Sequence, residues 1–586
     1  MVDIKFMKSN KRLQSLIRVG LILTIIAVVN VLGSFVYSKL DLTEDGRFTM
    51  TKATNNLLKG LNKDSSSFAI EIYLEGDFPS EFQYLKNSVR DLLNIFRERS
   101  DGMIDFVFRN PLEGTDEERQ ARQQALGKEG ILPLQINDPR QARAMLVFPY
   151  AKIRLGNRFR VVSLIELGDG YYQPSDITAS INFLEYKFAS AIQKLMQQSR
   201  PRLVLLTGHG ELQRPYTNEF EKALFEFYDI ARLNLSQVNQ IDTNINLVVV
   251  PKPLGPFSYD DQFKIDQYLM HGGRMLWLID ALNMEDDSLR TKKFHLPFEY
   301  PHDLQKMLFN YGIRVNNNIV SSFDAASFPG AVNGQGQKAN PKWYYYPLAF
   351  PYHTPLEAQQ TGRSAIDHPI VKNLDFVQLK YAGTIDTVKT RADIKKTALL
   401  RTSKYSKVQF PPTRISSDIL NDPAIHADAF TKGNQDVAIL LEGAFESYFR
   451  NRIPPETAQR WKEIGNYPIL DKGNSTKMIV VSDGDIAKND VHQSGKLFPL
   501  GAGIHPEFGP RMFSNREFLM NCVEYLLDDS GLISARSREI KLRPLDQERA
   551  FQEETKWQII NLGLPLLLLG IFGFTYGWLR RRRYGR

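Results

Sequence analysis

The apolar pattern is most decisive at the two ends of the chain. From Ile559 to Leu579 runs an apolar stretch without a charged residue, closed by Arg580, Arg581, Arg582 and Arg583. At a helical rise of about 1.5 Å per residue, such a run spans the roughly 30 Å hydrocarbon core of a bilayer. Basic residues beside a spanning helix are retained on the cytoplasmic side, so the C-terminus is expected inside. At the other end Lys5, Lys8, Lys11, Arg12 and Arg18 precede an apolar run from Val19 to Tyr37, softened only by residues such as Thr24, Asn30 and Ser34. A signal-peptide core is shorter, about 7 to 15 residues, and Val31-Leu32-Gly33 makes a poor cleavage site. The expectation is two uncleaved transmembrane helices, within residues 1–40 and 546–586, with both termini cytoplasmic and the body between them outside the inner membrane.

Inside these ends the period of the pattern alternates between two and about 3.6. Phe68, Ile70, Ile72 and Leu74 alternate as in a strand, and Phe82, Leu85, Val89, Leu92 and Phe96 fall on one helical face. Ile104, Phe106 and Phe108 alternate again, which completes a β-α-β unit. Glu113 to Glu129 reads as a solvated helix or mobile arm, Ala144 to Phe148 as a strand, and the segments around Gly156-Asn157 as a hairpin. A helix from about Ile181 to Met196 leads to a boundary at Ser199-Arg200-Pro201, closing an N-terminal α/β domain over 41–199.

The second domain, 200–545, opens with the buried-strand run Leu203 to Leu206 and the turn Thr207-Gly208-His209-Gly210-Glu211. A helix begins at Thr217 or Asn218, Leu247 to Val250 is another strand, and Ser258 with Asp261 caps a helix that ends at Gly272-Gly273. Met275 to Ile279 and Met478 to Ser482 return to the sheet, and Ser514 with Glu517 caps a last helix to about Leu527. Strands and helices alternating at this spacing predict a doubly wound parallel sheet, so the fold class is α/β. The interval from Phe323 to Lys432 reads as loop-rich.

Charge and cysteine then narrow the function. The net charge of +8 would suggest nucleic acid in a soluble protein. Here the N-terminal tail carries +4 and the C-terminal arginines +5, which leaves the body at −1 and without a basic stripe to follow a phosphate backbone. Cys522 is the only cysteine, so no intramolecular disulfide or cysteine-rich metal site exists, nor the lipid anchor of a solute-binding protein.

Taken together, several short motifs resemble one family. They are Asp41-Leu42-Thr43 with Arg47-Phe48-Thr49, Thr207-Gly208-His209-Gly210-Glu211, Tyr268-Leu269 with Gly272-Gly273-Arg274, and Asp483-Gly484-Asp485 followed by Asn515-Arg516-Glu517-Phe518. In this order, and with the membrane ends, the chain resembles GldG, the gliding-motility-associated auxiliary component of Bacteroidota ABC transporters. The resemblance implies an ABC permease and a separate ATPase as partners and an outer domain similar to the class I glutamine amidotransferase fold; another copy of the chain, the permease's outer face or envelope machinery is the expected contact of the outer domain.

The residues argue against catalysis. That fold places a cysteine or serine nucleophile on a sharp turn after a strand, whereas the first turn here carries Gly208-His209-Gly210 and Cys522 lies among Phe518, Leu519 and Leu526. There is no Gly-x-Ser-x-Gly elbow and no phosphate loop, so ATP hydrolysis falls to a partner. His209 and Glu211, at a strand's carboxyl end, suit ligand or metal binding or acid–base work; the plainer reading is that the glycines make the turn and His209 bonds a neighbouring loop. Asp483 and Asp485 suit a cation, or cap the backbone of their turn. These four are the candidate ligand-binding residues, and no metal or cofactor is assigned. Gly330, Gly334 and Gly336 lie in a polar loop and form no dinucleotide fingerprint. Trp343-Tyr344-Tyr345-Tyr346 suits a carbohydrate platform or partner patch, or a loop packing its rings on the domain, and His295, His302, His353 and His368 show no ligand spacing. The expected role is a non-catalytic auxiliary of assembly or coupling, with a periplasmic ligand-binding module and a cryptic hydrolase as alternatives.

Overall fold

The computed structural model describes residues 18–28, 49–61, 67–138, 143–166, 174–197, 199–286, 289, 294–328, 341–350, 368–372, 374–421, 425–491, 494–537 and 553–584. The chain forms two units, one up to Arg538 and one from Glu539 onward.

In the first unit a four-stranded sheet is built from β1 (Phe68–Ile72), β2 (Ile104–Phe108), β3 (Tyr150–Leu155) and β4 (Arg158–Ser163), in the order β2-β1-β3-β4. β1 and β2 are parallel across the helix α1 (Ser80–Arg99), whose Phe82, Leu85, Val89 and Phe96 are fully buried, as their helical spacing requires. β3 and β4 form the hairpin expected at Gly156. Asp116–Lys128 is a helix fixed by a capping box between Thr115 and Glu118, which makes the charged segment an ordered element rather than an arm. Helix α2 (Pro174–Met196) begins earlier than its apolar spacing suggests.

The large sheet has ten strands among the described residues. Its parallel half contains β5 (Arg202–Thr207), β6 (Asp229–Asn234), β7 (Leu247–Pro251) and β8 (Met275–Leu278), and these run β6-β5-β7-β8. Beyond them lie β9 (Ala325–Ser327), β10 (Lys342–Phe350), β11 (Lys395–Thr402), β12 (Asp436–Glu446) and β13 (Lys472–Val481). β13 pairs parallel with β8, and the sheet then continues antiparallel through β12, β11, β10 and β9.

Both faces of this sheet are covered. Val204, Leu206, Val248, Val250, Met275 and Trp277 face helix α4 (Tyr259–Met270), and their strand neighbours Leu203, Leu205, Leu247, Val249, Leu276 and Leu278 face α3 (Asn218–Phe225) and α5 (Asn515–Leu527). This is why the strands read as continuous apolar runs.

Two expectations need correction. The sheet is mixed rather than wholly parallel, and the interval from Phe323 to Lys432 supplies four of its strands: β9, β10, β11 and the short strand Val377–Gln378 that pairs with β10. The aromatic run Trp343-Tyr344-Tyr345-Tyr346 is therefore strand, not loop, and Trp343, Tyr345 and Tyr346 are buried, which removes the carbohydrate platform and the partner patch. An aromatic buries some 150–250 Å², about 4–6 kcal/mol of apolar transfer at about 25 cal/mol per Å². A smaller correction concerns Ser514, whose hydroxyl accepts from the Asp375 N–H and makes no cap to α5. Ser258 does cap α4, accepting from Asp261 N at 3.1 Å.

In the second unit, helix α6 (Glu554–Tyr584) is the one helix among the described residues long and apolar enough to cross a membrane. Its apolar side chains are exposed. Of the expected first span, Arg18–Val28 is a shorter apolar helix, and the remainder lies outside the described residues, as do Asp41-Leu42-Thr43, the polar-loop glycines and His353.

Candidate functional site

The carboxyl ends of β5, β7, β8 and β13 carry, in turn, His209, Lys252, Asp280 and Asp483-Gly484-Asp485. This edge is where doubly wound sheets bind ligands.

His209 sits on the turn made possible by Gly208, whose φ is +115° and whose missing Cβ would otherwise meet the Asn234 carboxamide at 2.8 Å. Glu211 folds back on the same turn. It accepts from the His209 N–H at 2.7 Å, and its other oxygen lies 3.0 Å from His209 Nδ1. His209 Nε2 lies 3.3 Å from Asp261, the carboxylate of the Ser258 cap, and the ring stacks on Phe257 at 3.8 Å. Burial lowers the imidazole's basicity, but Glu211 and Asp261 outweigh it and its pKa is raised. Both ring nitrogens are thus committed within the protein.

The second pair belongs to a different network, centred on Lys252. That residue adopts the left-handed conformation, φ +52°, which turns its side chain into the edge. Its ammonium, 2% exposed, lies 2.7 Å from Asp485, 2.7 Å from Glu285 and 3.2 Å from Asp280. Gly484 permits this approach: a Cβ there would come within 2.6 Å of Lys252 Cγ. Asp280 in turn accepts from the Gly484 N–H at 2.5 Å, and Lys488 reaches Asp485 and Glu285 at 3.4 Å.

The carboxylates diverge by their neighbours. Desolvation raises Asp485, but Lys252, Lys488 and Lys380 prevail and hold it well below the usual range. Asp483 accepts from the backbone N–H groups of Lys380 and Asp485, both at 2.8 Å. Burial, with Asp280 and Asp485 close by, nevertheless pushes its carboxyl well up. Asp280 is raised to about 6 by burial against the pull of Lys252. Asp483 thus holds its own turn, and Asp485 pairs with the Lys252 ammonium of the same chain.

The structure joins His209 to Glu211 and Asp483 to Asp485, and gives the two pairs separate partners. None of the four lines the clefts seen at Arg160, Tyr186 or Tyr448. No group of three or more metal-ligating side chains occurs among the described residues. Cys522 is fully buried and burial pushes its thiol well up. Lys252, Asp280, Glu285 and Lys488 were the members missed. The legible signal was position, since Lys252 and Asp280 directly follow the runs of β7 and β8 at the same edge.

Comparison with known proteins settles the coarse identity. Residues 200–522, more than half of the chain, match the model of an auxiliary family described as ABC-type uncharacterized transport system. The chain belongs to this family. It is an auxiliary, transport-associated protein. Residues 44–154 match a second model, Domain of unknown function (DUF7088). An uncharacterized protein of Borreliella burgdorferi (strain ATCC 35210 / DSM 4680 / CIP 102532 / B31) is 22% identical over 571 residues, covering 94% of this chain and 95% of that protein. Among solved structures the mmIFT52 N-terminal domain aligns at 12% identity and a TM-score of 0.28, over 56% of this chain and 96% of that one.

Proposed function

We propose that this family member is a non-catalytic, membrane-anchored auxiliary subunit that binds an ABC permease and its ATPase and couples them to a body on the far side of the inner membrane. The observation that carries this reading is the filled carboxyl edge. Where a doubly wound sheet would receive a ligand, this chain inserts the Lys252 ammonium among Asp280, Glu285 and Asp485, and ties His209 to Glu211 and Asp261. An edge satisfied from within supports assembly over ligand capture or hydrolysis, and His209, Glu211, Asp483 and Asp485 then serve to hold loops in shape.

Anchoring rests on α6 and its arginines, with the Val19 to Tyr37 run as the second span and both termini cytoplasmic. In its finer form, drawn from the resemblance to GldG, the complex serves gliding motility, the parallel half of the sheet is an amidotransferase-like core, and the domains divide at Ser199-Arg200. Purification from native membranes tests the reading. Permease and ATPase should follow the chain in fixed ratio; a solitary protein with a small molecule bound at the carboxyl edge would favour the ligand-binding alternative.

A further inference from the structure

Away from the carboxyl edge, a cleft of about 610 Å³ opens between the β3–β4 hairpin, the end of α2 and the segment after α3. Its size is that of a small-molecule site. Four cations line it, Arg158, Arg160, Lys194 and Arg200, against two carboxylates, Glu129 and Glu226.

The pairing within the cleft is uneven. Glu129 is taken by Lys152 at 2.6 Å, and Lys194 by Glu524 at 2.7 Å. Arg158 and Arg200 each donate to a backbone carbonyl, of Gln197 at 2.9 Å and of Phe225 at 3.0 Å, contacts that orient a guanidinium without neutralising it. Arg160 lies with its guanidinium carbon 5.0 Å over the Phe227 ring, a stacking contact that leaves its N–H edge for an acceptor. Of the two lining carboxylates among the described residues, Glu226 is the one left facing three guanidinium groups. Burial weakens the Arg160 cation, Glu226 opposes that, and the nearby Arg200 adds to it.

We propose that this cleft binds a small polyanion carrying carboxylate or phosphate groups, with Arg160 as its principal contact and Arg158 and Arg200 as flanking ones. Planar guanidinium groups bind such oxygens through paired hydrogen bonds, and Phe227 holds the Arg160 plane in place for that geometry. The lining comes from both sides of Ser199-Arg200, so an occupant would bridge the β3–β4 hairpin to the start of the large-sheet region. The inference stands apart from the assembly reading, because a chain that co-purifies with a permease can bind such an anion or not.

The test is calorimetric titration of the full chain in mild detergent with citrate and with pyrophosphate, and with acetate as the monoanion control. Citrate, pyrophosphate or both should bind at least tenfold more tightly than acetate, and the tighter of the two identifies the anion chemistry. Arg160→Gln should weaken binding at least tenfold with an unchanged melting temperature, and Arg160→Lys should weaken it less. Arg391→Gln, in the separate basic cleft beside Tyr448, should leave it unchanged. If Arg160→Gln does not fold, Arg200→Gln takes its place. Polyanions no tighter than acetate, or equal weakening by Arg391→Gln, would overturn the proposal.

Discussion

Lys252 and Asp485 lie far apart in sequence and meet at 2.7 Å, the lysine leaving β7 in a left-handed turn and the aspartate following β13. Burying an ammonium costs several kcal/mol unless its partners compensate, and here Asp280 and Glu285 complete the set. Lys252→Met removes the cation and leaves carboxylates facing one another at the edge of the sheet. The expected loss is about 3–5 kcal/mol, read from denaturant unfolding of the full chain in detergent at neutral pH. A loss below about 1 kcal/mol, the range of exposed pairs, would mean that the network does not hold the edge together.

Asp266 offers a pH test away from that cluster. Its carboxylate accepts from Tyr311 and Ser447 at 2.7 Å and from Tyr448 N at 2.8 Å, with the Gln267 amide at 3.0 Å. Burial still raises its pKa from 3.8 to about 6, against those hydrogen bonds. Because the folded pKa is the higher one, this group's contribution favours folding below about pH 4 and is lost as the pH rises through about 6. Asp266→Asn should therefore flatten the stability profile between pH 4 and 6. An unchanged slope in a folded variant would assign that slope to other groups.

Cys522 is a probe of integrity. It is fully buried in α5 beside Phe518, Leu519 and Leu526. A maleimide should fail to label the native chain within minutes and label it once per molecule in denaturant. Rapid native labelling would show that α5 does not stay packed on the sheet.

The charge flanking α6 makes a prediction about orientation. A fluorescent protein fused after Arg586 should fold and fluoresce on the cytoplasmic side, and an alkaline phosphatase at the same point should be inactive. Replacing Arg580 to Arg583 by glutamates should weaken that bias. An active phosphatase fusion on the native sequence would reverse the inferred topology.

Three strands of the parallel half were legible in the sequence because each, buried on both faces, is a continuous apolar run bounded by turn residues: Leu203 to Leu206, Leu247 to Val250, Met275 to Leu278; the edge strand β6, with Asp229, Arg232 and Asn234, was not. The antiparallel half was not, because Lys395–Thr402 carries charge towards both ends and pairs only across long sequence separations, with β-bulges breaking its period. The four candidate residues could be placed at strand ends by their glycine turns. The pairing could not be read, since Lys252 reaches Asp485 and Glu285 only through tertiary folding, and a lysine after a strand gives no sign of being 2% exposed.

The central claim is that this chain works as a bound subunit rather than a solitary binder or enzyme. The most direct measurement is purification from native membranes in mild detergent, with every co-purifying protein and small molecule identified by mass spectrometry. The account predicts an ABC permease and an ATPase in fixed ratio to the chain, lost together when the terminal apolar segments are replaced. A chain recovered alone, with a ligand bound among His209, Glu211, Asp483 and Asp485, would contradict it.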